Sequence, residues 1–344
     1  LRRTSSRPRV PASGSRVLRR EERPMIRGFV PHDGRLKVAE DPLKSLDSAL
    51  WIDLVEPTDA EEATLESHFG IDIPTREEMR AIEISSRLYH ENEATFMTAT
   101  LPARTDTDDL LMWPVTFVLV QDKLITVRYH EPRAFKTFPQ RVEQVSLGCT
   151  RGDIILVALI EAVVDRIADV LERAQRDVDG ISHDIFAPDS TRATRDYQGV
   201  LRQIGRKGDL VSNLRDSLVS LVRVTGFLGQ TVAESEDREL RGRIKTTGHD
   251  IQALTDQTAF LSQKVTFLLD ATLGLVNIEQ SNIIKIFTIA AGVFLPPTLI
   301  ASIYGMNFVH MPELRWQYGY PLAVLAMVLS AVLPYWYFKR RGWL

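Results

Sequence analysis

The chain has 344 residues, enough for a folded domain of ordinary size with a membrane anchor added. Its formal net charge is −3, which leaves no global basic field for nucleic acid. A single cysteine, Cys149, excludes an intrachain disulfide and any multi-cysteine metal site, and fits a domain in a reducing compartment.

Residues 1–24 hold eight arginines among Ser, Pro and Gly, and lack the apolar run of roughly 7–15 residues that a signal peptide carries. This composition predicts a disordered basic tail. Met25 opens the first patterned sequence and is read as the true start, with Leu1 marking an over-long reading of the gene.

Residues 25–150 predict an α/β domain. Residues 49–55, Ala-Leu-Trp-Ile-Asp-Leu-Val, read as a buried strand. Thr58 can cap the helix that follows, with Asp59, Glu61 and Glu62 in its first turn. Residues 95–101, 114–120 and 123–128 run apolar or alternate at strand length, and Gln121-Asp122 joins the last two as a hairpin turn. Helical patches are expected at residues 76–84 and 135–145. No Gly-x-Gly-x-x-Gly follows a strand and no Walker lysine loop is present. The histidines (His32, His68, His90, His130, His183, His249 and His310) are scattered without metal-ligand spacing, so nothing here reads as an enzyme.

Residues 151–282 are almost wholly helical in pattern. A first helix over residues 154–185 is rich in acids, and Pro188-Asp189 breaks it. A second covers residues 191–233, and a third begins near Glu236. On the third, Ile251, Leu254, Thr258, Leu261, Val265, Leu268, Thr272 and Leu275 follow alternating steps of three and four, a packing seam. A second stripe runs through Asp256, Phe260, Gln263, Phe267, Asp270, Gly274, Asn277, Ser281, Ile284, Thr288, Ala291, Leu295, Thr298 and Ser302. No strong terminator separates this helix from the apolar run beyond it, so one helix is expected to start in the cytoplasm and cross the bilayer.

Residues 286–312 and 316–338 contain no Asp, Glu, Lys or Arg, and each is long enough to span a bilayer, which takes about 20 residues. We place the spans at residues 283–304 and 319–338, with a loop at 305–318 and a basic tail at 339–344. Lys285, Lys339, Arg340 and Arg341 flank the spans, so both termini are expected inside and the loop outside. Two helices cannot enclose a polar path alone. Thr288, Thr298 and Ser302 on the arc of Asn277 and Ser281 therefore point to a homo-oligomeric ring around an axis, rather than to a tether or anchored sensor.

The motif Tyr304-Gly305-Met306-Asn307-Phe308, followed by Met311-Pro312-Glu313-Leu314, resembles the signature of the CorA magnesium transporter family. The likeness extends over Asn277-Ile-Glu-Gln280, Phe294-Leu-Pro-Pro-Thr298, Tyr318-Gly-Tyr-Pro321 and Trp51-Ile-Asp-Leu-Val-Glu-Pro57. The resemblance implies a homopentameric, funnel-shaped channel of the inner membrane, with a long stalk helix continuing into the inner pore helix and the second span outside it. It also implies Mg²⁺ as transported and regulatory ion, Co²⁺ and Ni²⁺ as further passengers, and no organic cofactor.

Within that frame Gly305, Met306 and Asn307 would form the selectivity filter, the Asn307 carbonyls accepting hydrogen bonds from the waters of a hydrated ion. Glu313 in the outer loop would raise the local cation concentration. Asn277, Ser281, Ile284, Thr288, Ala291, Leu295, Thr298 and Ser302 would line the pore, and Asp270 would ring its cytoplasmic mouth. Regulatory Mg²⁺ would bridge loop acids Asp106, Asp108 and Asp109 to stalk acids such as Asp250 or Asp256. A zinc transporter of the same superfamily is the nearest rival, and the Met-Asn and Met-Pro-Glu-Leu motifs argue against it.

Overall fold

The computed structural model describes residues 26–81, 83–107, 110–145, 148–187, 196–233, 237–306, 311–312 and 316–343. The basic tail, Met25 and the Pro188-Asp189 break lie outside them. Contacts divide the chain into two units, residues 1–174 with 210–259 and residues 175–209 with 260–344.

The first unit is built on a seven-stranded sheet. Its strands are β1 (Ile26–His32), β2 (Arg35–Val38), β3 (Trp51–Val55), β4 (Leu88–Glu91), β5 (Ala94–Ala103), β6 (Leu111–Val120) and β7 (Lys123–Arg128), in the spatial order β2-β1-β3-β7-β6-β5-β4. Only β3 and β7 pair in parallel. The predicted hairpin at Gln121-Asp122 forms, with Gln121 at φ 55°. The sequence reading passed over β1, β2 and β4, although Asp33-Gly34 is a hairpin signal and Asp33 sits at φ 47° as such a turn requires.

One face of the sheet buries Ile52, Leu54, Phe96, Val118, Ile125 and Val127 with Leu65 and Phe69 of α1 (Asp59–Phe69). Helix α1 starts as predicted. Thr58 Oγ1 accepts from Glu61 N, and the Glu61 carboxylate accepts from Thr58 N at 2.8 Å, closing a capping box. The other face stacks Phe29 on Trp51 at 4.2 Å between ring centroids and sets Phe135 and Phe138 of α2 (Arg133–Gln144) edge-on to the indole.

A polar chain runs through that second face. Trp51 Nε1 donates to Thr126 Oγ1, which donates to Asp53, and Arg128 grips both oxygens of Asp53 at 3.0 and 2.9 Å. Both side chains of the ion pair are at most 1% exposed. Every acceptor of the carboxylate faces a donor, the condition under which a buried pair is tolerated.

Residues 76–84 do not form the expected helix. They make single 3₁₀ turns at Glu78–Arg80 and Ile84–Ser86. Glu78 folds back to accept from Thr75 N, and Met79 is the only buried side chain among the described residues here. Without an apolar stripe, tertiary packing has nothing with which to hold a longer helix.

Three long helices follow, α3 (Gly152–Phe186), α4 (Tyr197–Thr231) and α5 (Arg238–Tyr304). The last is one unbroken helix of 67 residues that runs through Pro296 and Pro297. In the second unit Lys207 pairs with Asp177 at 2.6 Å, Lys264 pairs with Asp179, and Phe186 stacks on Phe267. A final helix, α6 (Gly319–Arg340), lies against α5 where a Cβ on Gly292 would stand 2.9 Å from the Phe338 ring.

Candidate ion path

Up to about Leu275, helix α5 carries a packed face and an exposed one. Along the seam Ile251, Thr258, Leu261, Val265, Leu268 and Thr272 are buried, and Leu254 and Leu275 are half-buried. All fourteen residues of the other stripe, from Asp256 to Ser302, are exposed. Between Asn277 and Thr288 every residue is exposed, so over those three turns exposure singles out no face. Ile289 of α5 and Ala323 of α6 are buried.

The hydroxyls on the stripe have a defined orientation. Ser281, Thr288 and Thr298 each donate to the carbonyl four residues earlier, on Asn277, Ile284 and Phe294, at 2.8, 2.8 and 2.7 Å. A hydroxyl whose hydrogen is spent on its own helix turns only lone pairs outward. The stripe therefore offers acceptors, which suit the waters of a hydrated cation, alternating with the apolar Ile284, Ala291 and Leu295.

At its far end the helix closes through Gly305 N to Ala301 O at 2.9 Å and Met306 N to Ile303 O at 3.3 Å. Tyr304 and Met306 are exposed. Asn307, Glu313, Asp108 and Asp109 lie outside the described residues.

The remaining acids separate. Asp270 and Asp256 are exposed on α5, and Gln252 donates to Asp256 at 3.1 Å. Asp250 lies near Asp165 of α3, whose carboxyl is raised by burial, and further by Glu161, Asp169 and Asp250, against the pull of Arg141. Asp106 is held differently. Arg166 and Arg173 of α3 reach its Oδ1 at 2.6 and 3.0 Å, and Arg133 of α2 reaches Oδ2. Hydrogen bonds from Arg173 and Arg166 hold its carboxyl far below the usual range. Three cations around one carboxylate repel a fourth, so this site disfavours the metal-ligand role expected of Asp106. Sequence reasoning missed this clamp, although Arg166 and Arg173, seven apart on an amphipathic helix, mark one face. No cluster of three or more His, Cys, Asp or Glu side chains fit for a metal occurs among the described residues.

Both α5 and α6 contain stretches long and apolar enough to cross a membrane, and in α5 that stretch is almost wholly unburied, Ile289 being the exception. At the end of α6, Arg340 lies 4.2 Å over Trp336 and Arg341 5.4 Å over Tyr337, a belt of cations and aromatics next to an apolar helix.

Comparison with known proteins extends these observations. The family described as "CorA-like Mg2+ transporter protein" matches residues 47–340. The magnesium transport protein CorA of Yersinia pseudotuberculosis is 33% identical over 323 residues, 93% of this chain and 100% of its own. Among solved structures, the complete CorA magnesium transporter of Methanocaldococcus jannaschii superposes with a TM-score of 0.73 at 19% identity, over 93% of this chain and 99% of its own. The ZntB cytoplasmic domain of Vibrio parahaemolyticus is a more distant likeness in fold, with a TM-score of 0.52 at 11% identity, over 73% of this chain and 97% of its own. A mixed sheet, a 67-residue helix and a second apolar helix, matched over nearly the whole length of both chains, show that this chain belongs to the CorA family.

Proposed function

We infer that the protein carries Mg²⁺ across a bilayer, as one subunit of a ring of identical copies, most simply a pentamer. The observation that carries this reading is the match to a magnesium transport protein over that relative's whole length, both candidate membrane helices included. The chain is a transporter, not an enzyme.

Mg²⁺ is small and sheds its waters reluctantly, so a selective entry need not supply direct ligands. In a ring, Asn307 from each copy presents a carbonyl to the waters of the entering ion, and Glu313 draws cations toward it. Thr298, Thr288 and Ser281, their hydrogens already donated to the helix, continue a column of acceptors beside Ser302 and Asn277. Leu295, Ala291 and Ile284 form apolar rings that close by dewetting. Asp270 gathers the ion at the inner mouth. Positive flanks at Lys285 and at Lys339, Arg340 and Arg341 put both termini in the cytoplasm, where a negative interior draws the cation inward. Co²⁺ and Ni²⁺ follow the same path.

For regulation by cytoplasmic Mg²⁺ we keep Asp108 and Asp109 opposite Asp250 or Asp256, and assign Asp106 to anchoring the loop through its three arginines.

The test is Mg²⁺ uptake in a transport-deficient host. The chain restores uptake, and Asn307→Ala loses most of it while still reaching the membrane. Unchanged uptake in that variant sinks the selectivity ring, and uptake of zinc without magnesium transfers the chain to the zinc-transporting branch.

A further inference from the structure

Helix α6 ends on a built cap. Trp343 N donates to Phe338 O at 3.2 Å and Gly342 N donates to Lys339 O at 3.2 Å, with Gly342 at φ 70°. These two bonds and the left-handed glycine make a Schellman motif, which turns the chain back on its own last turn. The Trp343 indole stacks on the Phe338 ring at 5.4 Å between centroids, and Phe338 in turn stands against Gly292 of α5. The basic turn Lys339-Arg340-Arg341 is therefore held within a fixed frame.

A long cation at the end of an apolar helix is free to extend away from it toward water. Arg340 and Arg341 fold back along the helix instead. The Arg340 guanidinium lies 4.2 Å over the Trp336 ring and the Arg341 guanidinium 5.4 Å over Tyr337, each one turn nearer the apolar run. A guanidinium over a ring face is attracted through its charge and leaves its N–H donors free. Neither side chain has an ion pair or a hydrogen-bond acceptor among the described residues. The sequence has no Asp or Glu after Glu313 to supply one. The supporting rings are themselves exposed, Trp336 by 53% and Tyr337 by 52%, and they border a run without charge from residue 316 to 338. Two sets of unspent donors thus rest on an aromatic ledge at the edge of an apolar surface. A soluble anion matches only the donors, whereas a phospholipid joins a phosphate to acyl chains and matches both. Lys339 adds a third cation, which favours a headgroup of net negative charge over a zwitterionic one.

We propose that the end of α6 binds the headgroup of an anionic phospholipid, with Arg340 and Arg341 donating to its phosphate and Trp336 and Tyr337 lying against its glycerol and upper acyl region. The site requires that α6 lie in a bilayer and is independent of which ion the protein carries.

The experiment is native mass spectrometry of the full chain in mild detergent, titrated with phosphatidylglycerol or with phosphatidylcholine of the same acyl chains. The peaks that retain lipid give the affinity for each. Phosphatidylglycerol is expected to bind more tightly. Arg340→Gln and Arg341→Gln should each weaken it about fivefold, the effect of one basic residue beside a charged leaflet, with phosphatidylcholine little changed. Trp336→Ala, which removes the ring under Arg340 and keeps the charge, should weaken it as well. Arg238→Gln, an exposed arginine at the start of α5, should leave it unchanged. All four positions are exposed, and an unaltered mass of the assembly in the same spectra reports that the protein stays folded. Equal retention of the two lipids overturns the proposal, as does a phosphatidylglycerol preference that survives both arginine substitutions or Trp336→Ala. Loss of that preference when inorganic phosphate replaces chloride at constant ionic strength assigns the arginines to a free anion and overturns it too. Mg²⁺ uptake is not the readout, so failure here and failure of the transport reading are separate results.

Discussion

His130 shows how one residue takes its chemistry from its surroundings. Its Nε2 lies 3.0 Å from Leu101 O, and a carbonyl only accepts, so Nε2 carries the proton. Nδ1 is buried with no partner among the described residues, while Arg128 donates to the carbonyl of His130 itself. Burial, and secondarily the Arg128 charge, lower the imidazole from 6.5 to about 4 against the opposing bond to Leu101. A lowered folded-state pKa means that the unfolded chain takes up the proton first. Stability is thus complete above pH 6.5 and drains as pH falls toward 4, by at most about 3 kcal/mol. Melting of the wild type should fall across that window, and His130→Gln should flatten the fall. The clamped carboxylate of Asp106 titrates only below that window, so the two effects are separable. A wild type with no slope between pH 6.5 and 4 would mean that the imidazole is hydrated.

Among the elements, α3 is pinned most tightly at its first residue. Gly152 N donates to Asp122 O at 2.7 Å, and an added Cβ would stand 2.3 Å from the backbone carbon of Lys123. That atom belongs to β7, whose Lys123 ammonium also ties Asp47 O and Ala49 O, so neither side can yield cheaply. Gly152→Ala should cost about 3 kcal/mol, seen as a clear drop in Tm. Gly180 in the same helix has nothing within 4 Å of an added Cβ. Gly180→Ala should raise stability by about 0.5–1 kcal/mol, because alanine loses less backbone entropy. Equal effects of the two would remove the close approach as the cause.

For the whole molecule, the exposed stripe of α5 and the apolar surfaces of α5 and α6 ask for two different surroundings. Exposed Phe294, Leu299 and Tyr320 suit lipid, whereas lone pairs on Thr288 and Thr298 suit water or an ion. One copy cannot satisfy both, and a ring can, with the stripe turned inward. Native mass spectrometry of the detergent-purified protein should therefore give a ring of identical copies, five on the proposed reading, with uptake activity confined to that species after reconstitution. A monomer that still conducts would end the pore model.

The periodicity of α5 was legible because helix geometry maps spacing directly onto faces. Steps of three and four from Ile251 to Leu275 became the packed side, and the stripe from Asp256 to Gly274 the exposed one opposite it. Thr58 with Glu61, the turn at Gln121-Asp122 and the two apolar runs were equally local signals, each written within a few residues of where it acts. Partners distant in the chain had no such signal. The grip of Arg128 on Asp53 spans 75 positions and the hold of Arg173 on Asp106 spans 67. The pairing of Thr100 with Ser220 spans 120. By itself the sequence determined the long helices, most strands, the membrane-length runs and the family, since these follow from short-range spacing and local motifs. Only the tertiary structure decided which charges meet, because a carboxylate takes its role from the cations that folding brings beside it.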